Sequence, residues 1–233
     1  MGVPVPEVLA VGEREISRPY TILSKINGRS ALSLTDRADA AREMGRYASI
    51  IHSIPTNGLG GKFDWLGEPQ PRNTERFLFE ELELDHRLSM LGKYADLETS
   101  RLNKIRATLI DLYDEESSTS LNHGDLRLKN ILLNEEGEIA AILDWEHCTS
   151  NLAPTWDLAI ALHDLSIDEK VAFVEGYGLG QNDLSRLAPA VKALNLIHYG
   201  LILEKAAMQE DVETMRRSRM HLSGDLDLYS LAG

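Results

Sequence analysis

The sequence predicts an α+β fold that is mainly helical, and three observations carry that reading. Apolar residues recur at helical spacing over most of the chain. One β-hairpin signal stands in the middle, where two short apolar runs flank a turn containing glycine. Finally, the chain has 233 residues and is 43% hydrophobic, enough to bury one sizeable core.

Taken in order, the first helical stripe is Ala38, Ala41, Met44, Ala48 and Ile51, capped by Thr35-Asp36 and ending before Pro55. Residues 58–76 are rich in Gly, Pro and polar groups and read as a loop, with Phe63 and Trp65 as its anchors. Phe77, Leu78, Leu82, Leu84 and Leu88 have roughly helical spacing. The acids from Glu80 to Asp85 between them form a solvated helix face. Leu102, Ile105, Leu109 and Leu112 make another stripe. Asn130-Ile-Leu-Leu and Ile139-Ala-Ala-Ile-Leu are the hairpin strands, with Asn134-Glu-Glu-Gly-Glu between them. Trp156 to Leu165 is apolar almost all round, as a central buried helix would be. Gly176-Tyr-Gly-Leu-Gly180 reads as a helix end. Val191, Leu194, Ile197, Leu201 and Ile202 mark a further core helix, and Asp211 to His221 is charged and peripheral.

Composition narrows the function. A net charge of −13, from 37 acids and 24 bases, argues against nucleic-acid binding, which needs basic surface. It is compatible with ordinary acidic solubility and with an acidic cleft that draws a cationic substrate. No long uncharged apolar stretch suggests a membrane span. The residues after Met1 lack the basic and apolar regions of a signal peptide. A single cysteine, Cys148, excludes an internal disulfide framework and fits a cytoplasmic protein. Glu146-His147-Cys148 has no second cluster at zinc spacing. Gly58-Leu-Gly-Gly-Lys62 lacks the spacing of a phosphate-binding loop, and Phe63 stands where a metal-binding hydroxyl would be.

The chemistry concentrates between Leu121 and Glu146. His123, Gly124 and Asp125 lie in a short loop, Asn130 follows five residues after Asp125, and Asp144 comes fourteen residues after Asn130. Antiparallel pairing of the hairpin brings Asn130 and Asp144 to the same end, and the loop carrying Asp125 leads into it. An amide oxygen and a carboxylate converging there suit Mg²⁺, a hard cation that prefers oxygen ligands. A second carboxylate nearby can accept a proton from an attacking hydroxyl.

That order of an aspartate, an amide and a second aspartate resembles the catalytic loop of kinase-type folds, with Gly124 where the protein-kinase signature has arginine. More closely, His123, Gly124, Asp125, Asn130, Ile142, Asp144, Trp145 and Glu146 resemble the signature of the aminoglycoside phosphotransferase and choline-kinase-like families. Pro154, Asp157, Leu158 and Ala159 match a further family run, in which Ala153 replaces the first acid. Upstream, Val3-Pro-Val-Pro-Glu-Val-Leu9, Tyr20-Thr-Ile-Leu-Ser24 and Ile26-Asn-Gly28 resemble the last strands and hinge of the family's small lobe. The resemblance therefore implies a protein-kinase-like C-lobe with a catalytic-loop hairpin and only the last N-lobe strands. Residues 1–30 would be remnant strands and hinge, and 31–233 the helical lobe. No glycine-rich loop followed by a strand lysine precedes Val3.

The resemblance also assigns roles. Asp125 is the expected catalytic base. Asn130 and Asp144 are expected metal ligands that also face the nucleotide, with Ser24 and Ile26 of the hinge as further nucleotide-binding positions. His123 and Asp157 support the loop. Arg127 is either a phosphate-binding catalytic residue or a loop arginine paired with a nearby acid. The implied reaction is transfer of the γ-phosphoryl group of ATP, or of GTP, to a hydroxyl of a small molecule such as an aminoglycoside or amino alcohol, with Mg²⁺. The alternative is a binding or regulatory module, or part of a longer kinase, because the phosphate loop and nucleotide-binding lysine are missing from the sequence. Substrate identity and oligomeric state are left open.

Overall fold

The computed structural model describes residues 2–12, 19–61, 73–115 and 118–230, with side chains followed to residue 222. Strands β1 (Val8–Gly12) and β2 (Tyr20–Leu23) form an antiparallel ribbon. Its apolar side chains Val8, Leu9, Val11, Ile22 and Leu23 are exposed. The chain then runs through β3 (Arg29–Ser30) and a 3-10 turn at Ala31–Ser33 into helix α1 (Ala38–His52). Asp36 caps the start of α1, its Oδ1 accepting from the Ala38 N–H at 3.1 Å. Ala41, Met44, Ala48 and Ile51 are all fully buried, so the stripe read from the sequence is the core face.

Pro55 does more than end that helix. Pro55–Thr56 is β4, an edge strand of a three-stranded sheet ordered β4-β5-β8, with β5 at Thr119–Asn122 and β8 at Thr149–Asn151. Neither β5 nor β8 was expected from the sequence. Apart from Leu121, their buried residues are Ser, Thr and Asn, so they carry no strand-like apolar alternation. Some of the polar groups pair with one another: Thr56 and Ser150 hydroxyls lie 2.7 Å apart, and Asn122 Nδ2 donates to Ser120 O and Asn151 O at 3.0 and 3.1 Å, while Ser120 Oγ, Asn122 Oδ1 and Asn151 Nδ2 have no hydrogen-bond partner among the described residues.

The segment expected as one helix with an acidic face is instead broken. Helix α2 (Thr74–Arg76) widens into a π-helical turn at Phe77–Glu81, and Glu83 takes a left-handed φ of 53° before α3 (Leu84–Ala95) begins. The break turns Phe77, Leu78, Leu82 and Leu84 inward together, which one regular helix could not do at that spacing. Glu80, Glu81, Glu83 and Asp85 remain exposed as expected. The anchors proposed from the sequence, Phe63 and Trp65, lie outside the described residues.

Helix α4 (Thr99–Glu115) leads through β5 and the catalytic loop to a 3-10 turn at Leu128–Asn130 and the hairpin, β6 (Ile131–Leu133) and β7 (Ile139–Ile142). Ile131 faces Ile142, and Leu143 N donates to Asn130 O at 2.9 Å, so the ladder reaches Asn130. Gly137 at φ 85° and the Asn134 side chain, accepting from Glu138 N at 2.8 Å, make the turn. β3 adds to β6, and Ile142 N donates to Pro4 O at 2.8 Å. The start of the stretch expected as remnant strands and hinge, at Pro4, and its end, at β3, are thus hydrogen-bonded to the hairpin itself, while β1 and β2 pair with each other.

A 3-10 turn at Trp145–His147 and β8 precede four helices: α5 (Thr155–Asp164), α6 (Ile167–Tyr177), α7 (Gln181–Met208) and α8 (Val212–Ser230). Helix α6 ends at Gly178, with φ 87°, inside the glycine run read as a helix end. Glycines let α6 and α1 cross closely: a Cβ on Gly45 would meet Phe173 O at 2.1 Å, and one on Gly176 would meet Arg42 O at 1.9 Å. Helix α7 is the spine, packing against α3, α4, α5 and α8. Among the described residues no helix is long and apolar enough to cross a membrane.

Candidate active site

The loop between β5 and β6 is fixed from below by Asp157, which is fully buried in the first turn of α5. Its Oδ1 accepts from Gly124 N at 2.8 Å, and its Oδ2 accepts from His123 N at 2.7 Å. His52, at the end of α1, places Nε2 3.0 Å from the same Oδ2, while its Nδ1 lies 2.9 Å from the Tyr177 hydroxyl. Burial pushes the Asp157 carboxyl up, but His52 and the two backbone N–H groups outweigh it and hold it below the ordinary range. Burial, with the Asp157 charge adding to it, pushes the Tyr177 phenol up to about 12, so it stays a hydroxyl.

His123 is fully buried. Its Nε2 lies 2.9 Å from Leu143 O, and its Nδ1 accepts from Asp125 N at 3.2 Å. A carbonyl needs a donor and an N–H needs an acceptor, so the ring is the neutral Nε2–H tautomer. Burial lowers its pKa in agreement with that tautomer, against the nearby carboxylates. The ring therefore ties the loop to the far end of β7 and has no free nitrogen for proton transfer. Gly124, at φ 80°, passes so close beneath the next turn that a Cβ would meet His147 O at 1.9 Å. No arginine fits where the protein-kinase signature has one.

Asp125 is 9% exposed and sits in a cage of donors. Lys129 Nζ is 2.7 Å from Oδ2, Asn130 Nδ2 donates to Oδ2 at 3.0 Å and to the Asp125 carbonyl at 2.8 Å, and Arg127 Nε lies 2.9 Å from Oδ1. The Arg127 N–H does not point at that oxygen, so the contact is an ion pair without a formed hydrogen bond. Arg127 Nη1 also reaches Asp164 Oδ2 at 3.1 Å. Burial pushes the Asp125 carboxyl up, and Lys129, Arg127 and Asn130 together bring it below the ordinary range.

Asn130 spends its amide nitrogen on Asp125, and no donor among the described residues is recorded on its Oδ1. Asp144 is exposed at the end of β7, with a left-handed φ of 62° that Asp tolerates better than most residues. The structure thus brings His123, Asp125, Arg127, Asn130 and Asp157 into one bonded unit, with Asp144 on the next strand end. Ser24 lies apart, its hydroxyl accepting from Glu7 N at 2.9 Å in the ribbon, and Ile26 is half-buried beyond it.

A cavity of about 620 Å³ opens beside Asp125. It is reached by Arg127, Lys129, Glu146, His147 and Cys148 but not by Asn130, Asp144, Ser24 or Ile26. Its far wall comes from α3, α5 and α7. Trp156, Ile160 and His163 of α5 face it, which explains why that helix reads as apolar all round. Burial pushes the Cys148 thiol up, so it is not a reactive thiolate. His52, Tyr177, Lys129, Asp164 and Arg87 belong to this assembly and were not picked out from the sequence. His52 alone had a signal, a histidine following the core stripe of α1.

The sequence is matched by a family model described as the phosphotransferase enzyme family, over residues 1–190. The chain belongs to that family. Among solved structures, this phosphotransferase-family chain is similar to a thermostable mutant of aminoglycoside phosphotransferase APH(4)-Ia in ternary complex with ADP and hygromycin B. The identity is 17%, 97% of this chain and 77% of that one are covered, and the TM-score is 0.67. It is similar as well to a putative aminoglycoside phosphotransferase from Ralstonia eutropha JMP134, at 15% identity, 98% and 78% coverage and a TM-score of 0.61. A third likeness is the GDP complex of an aminoglycoside 2'-phosphotransferase-IIIa mutant, at 14% identity, 100% and 78% coverage and a TM-score of 0.63. No curated protein matches by sequence. These likenesses show the kinase-like aminoglycoside phosphotransferase fold, mainly helical with small sheets, as the sequence predicts.

Proposed function

We propose that this chain transfers the γ-phosphoryl group of ATP, with GTP as an alternative donor, to a hydroxyl of a small molecule held in the cavity beside Asp125. The observation that carries the reading is the division of labour around Asp125. The cavity reaches this carboxylate while Asn130 and Asp144 stay off its wall, as expected if acceptor and nucleotide approach the loop from different sides. Nucleotides in the solved neighbours, among them ADP and GDP, support a nucleotide donor.

In this reading the acceptor hydroxyl gives its proton to Asp125 as its oxygen bonds to the γ-phosphorus. The bond from that phosphorus to the β-phosphate oxygen breaks, and ADP leaves with the electron pair. Arg127 and Lys129, already on the carboxylate, stand where charge develops on the transferred group. Asn130 Oδ1 and the Asp144 carboxylate would hold Mg²⁺, since both are oxygen donors without other partners among the described residues and the rest of the shell can come from phosphates and water. The ion would neutralise the charge on those phosphates. Ser24 and Ile26 would meet the base of the nucleotide, and His123 and Asp157 hold the loop in place.

Calorimetry of ATP with and without Mg²⁺ tests the assignment. Mg²⁺ should strengthen ATP binding in the wild type and have little effect in Asp144→Ala. Nucleotide binding that ignores Mg²⁺ and survives Asp144→Ala would overturn it.

A further inference from the structure

The cavity beside Asp125 is walled mainly by apolar side chains, among them Phe77, Leu82, Trp156, Ile160 and Leu194. Its charges decide what else it can hold. Among the described residues three acids reach it, and two of them already have a cation. Glu81 pairs with Arg76 and Asp125 with Arg127 and Lys129, while Glu146 is exposed and has only the His147 ring, 3.6 Å away. Beyond the exposed Glu146, these acids leave no spare carboxylate for an amine.

Arg87 is the charge left over. It projects from α3 into the cavity wall, half-buried, and its Nε donates to Leu82 O at 2.6 Å. The guanidinium makes no other hydrogen bond and no ion pair among the described residues. Burial lowers its pKa, opposed only by the more distant charge of Glu83. Its backbone is clamped against α7, where a Cβ on Gly200 would meet Arg87 O at 2.6 Å, so the side chain starts from a fixed point.

The field on that wall is positive. His198 lies on the same wall, and after burial the positive charges of His163, Arg127 and Arg87 are what push its pKa down to about 4, with Asp164 opposing. A polycation would meet repulsion at that wall. A carboxylate would give the Arg87 fork the planar bidentate partner it lacks.

We infer that the acceptor alcohol carries a carboxylate, bound by Arg87, in a slot whose apolar walls hold its carbon frame. The hydroxyl half of this inference rests on the phosphotransferase reading; the carboxylate half rests on the cavity alone. Arg87 is then the residue that sets substrate charge class.

A panel of small hydroxycarboxylates, their carboxamides, and amino alcohols including aminoglycosides tests it, with binding read by calorimetry without nucleotide. The hydroxycarboxylates should bind best. The tightest should weaken at least tenfold in Arg87→Met, about 1.4 kcal/mol, and by a similar factor when its carboxylate is replaced by the carboxamide. Arg87→Lys should retain part of the affinity, and if Arg87→Met does not fold, the carboxamide comparison in the wild type decides. Tightest binding by amines or neutral alcohols, no carboxylate binding at all, or an unchanged affinity in a folded Arg87→Met protein overturns the inference. Phosphoryl transfer is then measured on the same panel. A carboxylate that binds through Arg87 yet is never phosphorylated overturns the phosphotransferase reading and leaves the carboxylate site standing. Transfer confined to neutral or cationic alcohols does the reverse.

Discussion

Asp157 offers the sharpest mechanical test of the site, because three donors from two parts of the chain converge on one buried carboxylate. In Asp157→Ala, the N–H groups of His123 and Gly124 and the Nε2–H of His52 all lose their acceptor. A buried polar group left without a partner costs about 1–3 kcal/mol, so three of them set a range of about 3–9 kcal/mol, with water entry favouring the lower end. Domains have about 5–15 kcal/mol of stability in total, so a loss of that size is readily measured. Urea unfolding followed by circular dichroism should show a midpoint shift corresponding to at least about 3 kcal/mol. His52→Ala added to Asp157→Ala should cost much less than it does alone, because the bond they share is already gone. A loss under about 1 kcal/mol in Asp157→Ala, or full additivity with His52→Ala, would refute the argument that this carboxylate anchors the loop.

Two further outcomes follow from the charges. His198, held near 4, and His123, also lowered, are both neutral in the fold but titrate near 6.5 when unfolded. The unfolded chain therefore binds more protons between those values, and stability, complete above about pH 6.5, should fall as pH drops toward 4. The His198 part is at most on the order of 3 kcal/mol. Urea midpoints at a series of pH values check this, and a profile that is flat or rises toward acid would contradict it. Lys129→Met removes the closest cation on Asp125, so the carboxyl should titrate higher and the acid limb of kcat/KM should move to higher pH. An unmoved limb would mean that the ion pair does not set the ionisation of the base.

Much of this site is legible in the sequence because it is local. Asp125, Asn130 and Asp144 fall on a loop and a hairpin whose turn is written in Asn134 and Gly137, and hairpin register follows from local turn chemistry. Helices with aliphatic stripes, such as α1 and α4, are legible for the same reason. The sheet β4-β5-β8 is not, because apart from Leu121 its buried residues are Ser, Thr and Asn, which read as loop. The broken segment around Glu83 is hidden too, since apolar residues spaced for one helix are turned inward by a π-helical turn and a left-handed residue. The cavity wall is non-local: Arg87, Trp156 and His198 come from three helices and share no motif. Only the tertiary fold shows that Glu81 and Asp125 of the cavity are paired while Arg87 has no ion-pair partner among the described residues.

The central claim is that Asp125 takes the proton from an acceptor hydroxyl as phosphate is transferred. The most direct measurement is transfer of labelled γ-phosphate from Mg²⁺·ATP to the alcohol panel, compared between wild type and Asp125→Asn. The substitution keeps the shape and the Lys129 and Asn130 surroundings but removes the charge and the basicity. The account predicts that the wild type phosphorylates an alcohol and that Asp125→Asn, still folded, loses at least ~10²-fold in rate. Equal transfer by the two proteins, or no transfer by the wild type to any alcohol, would contradict it.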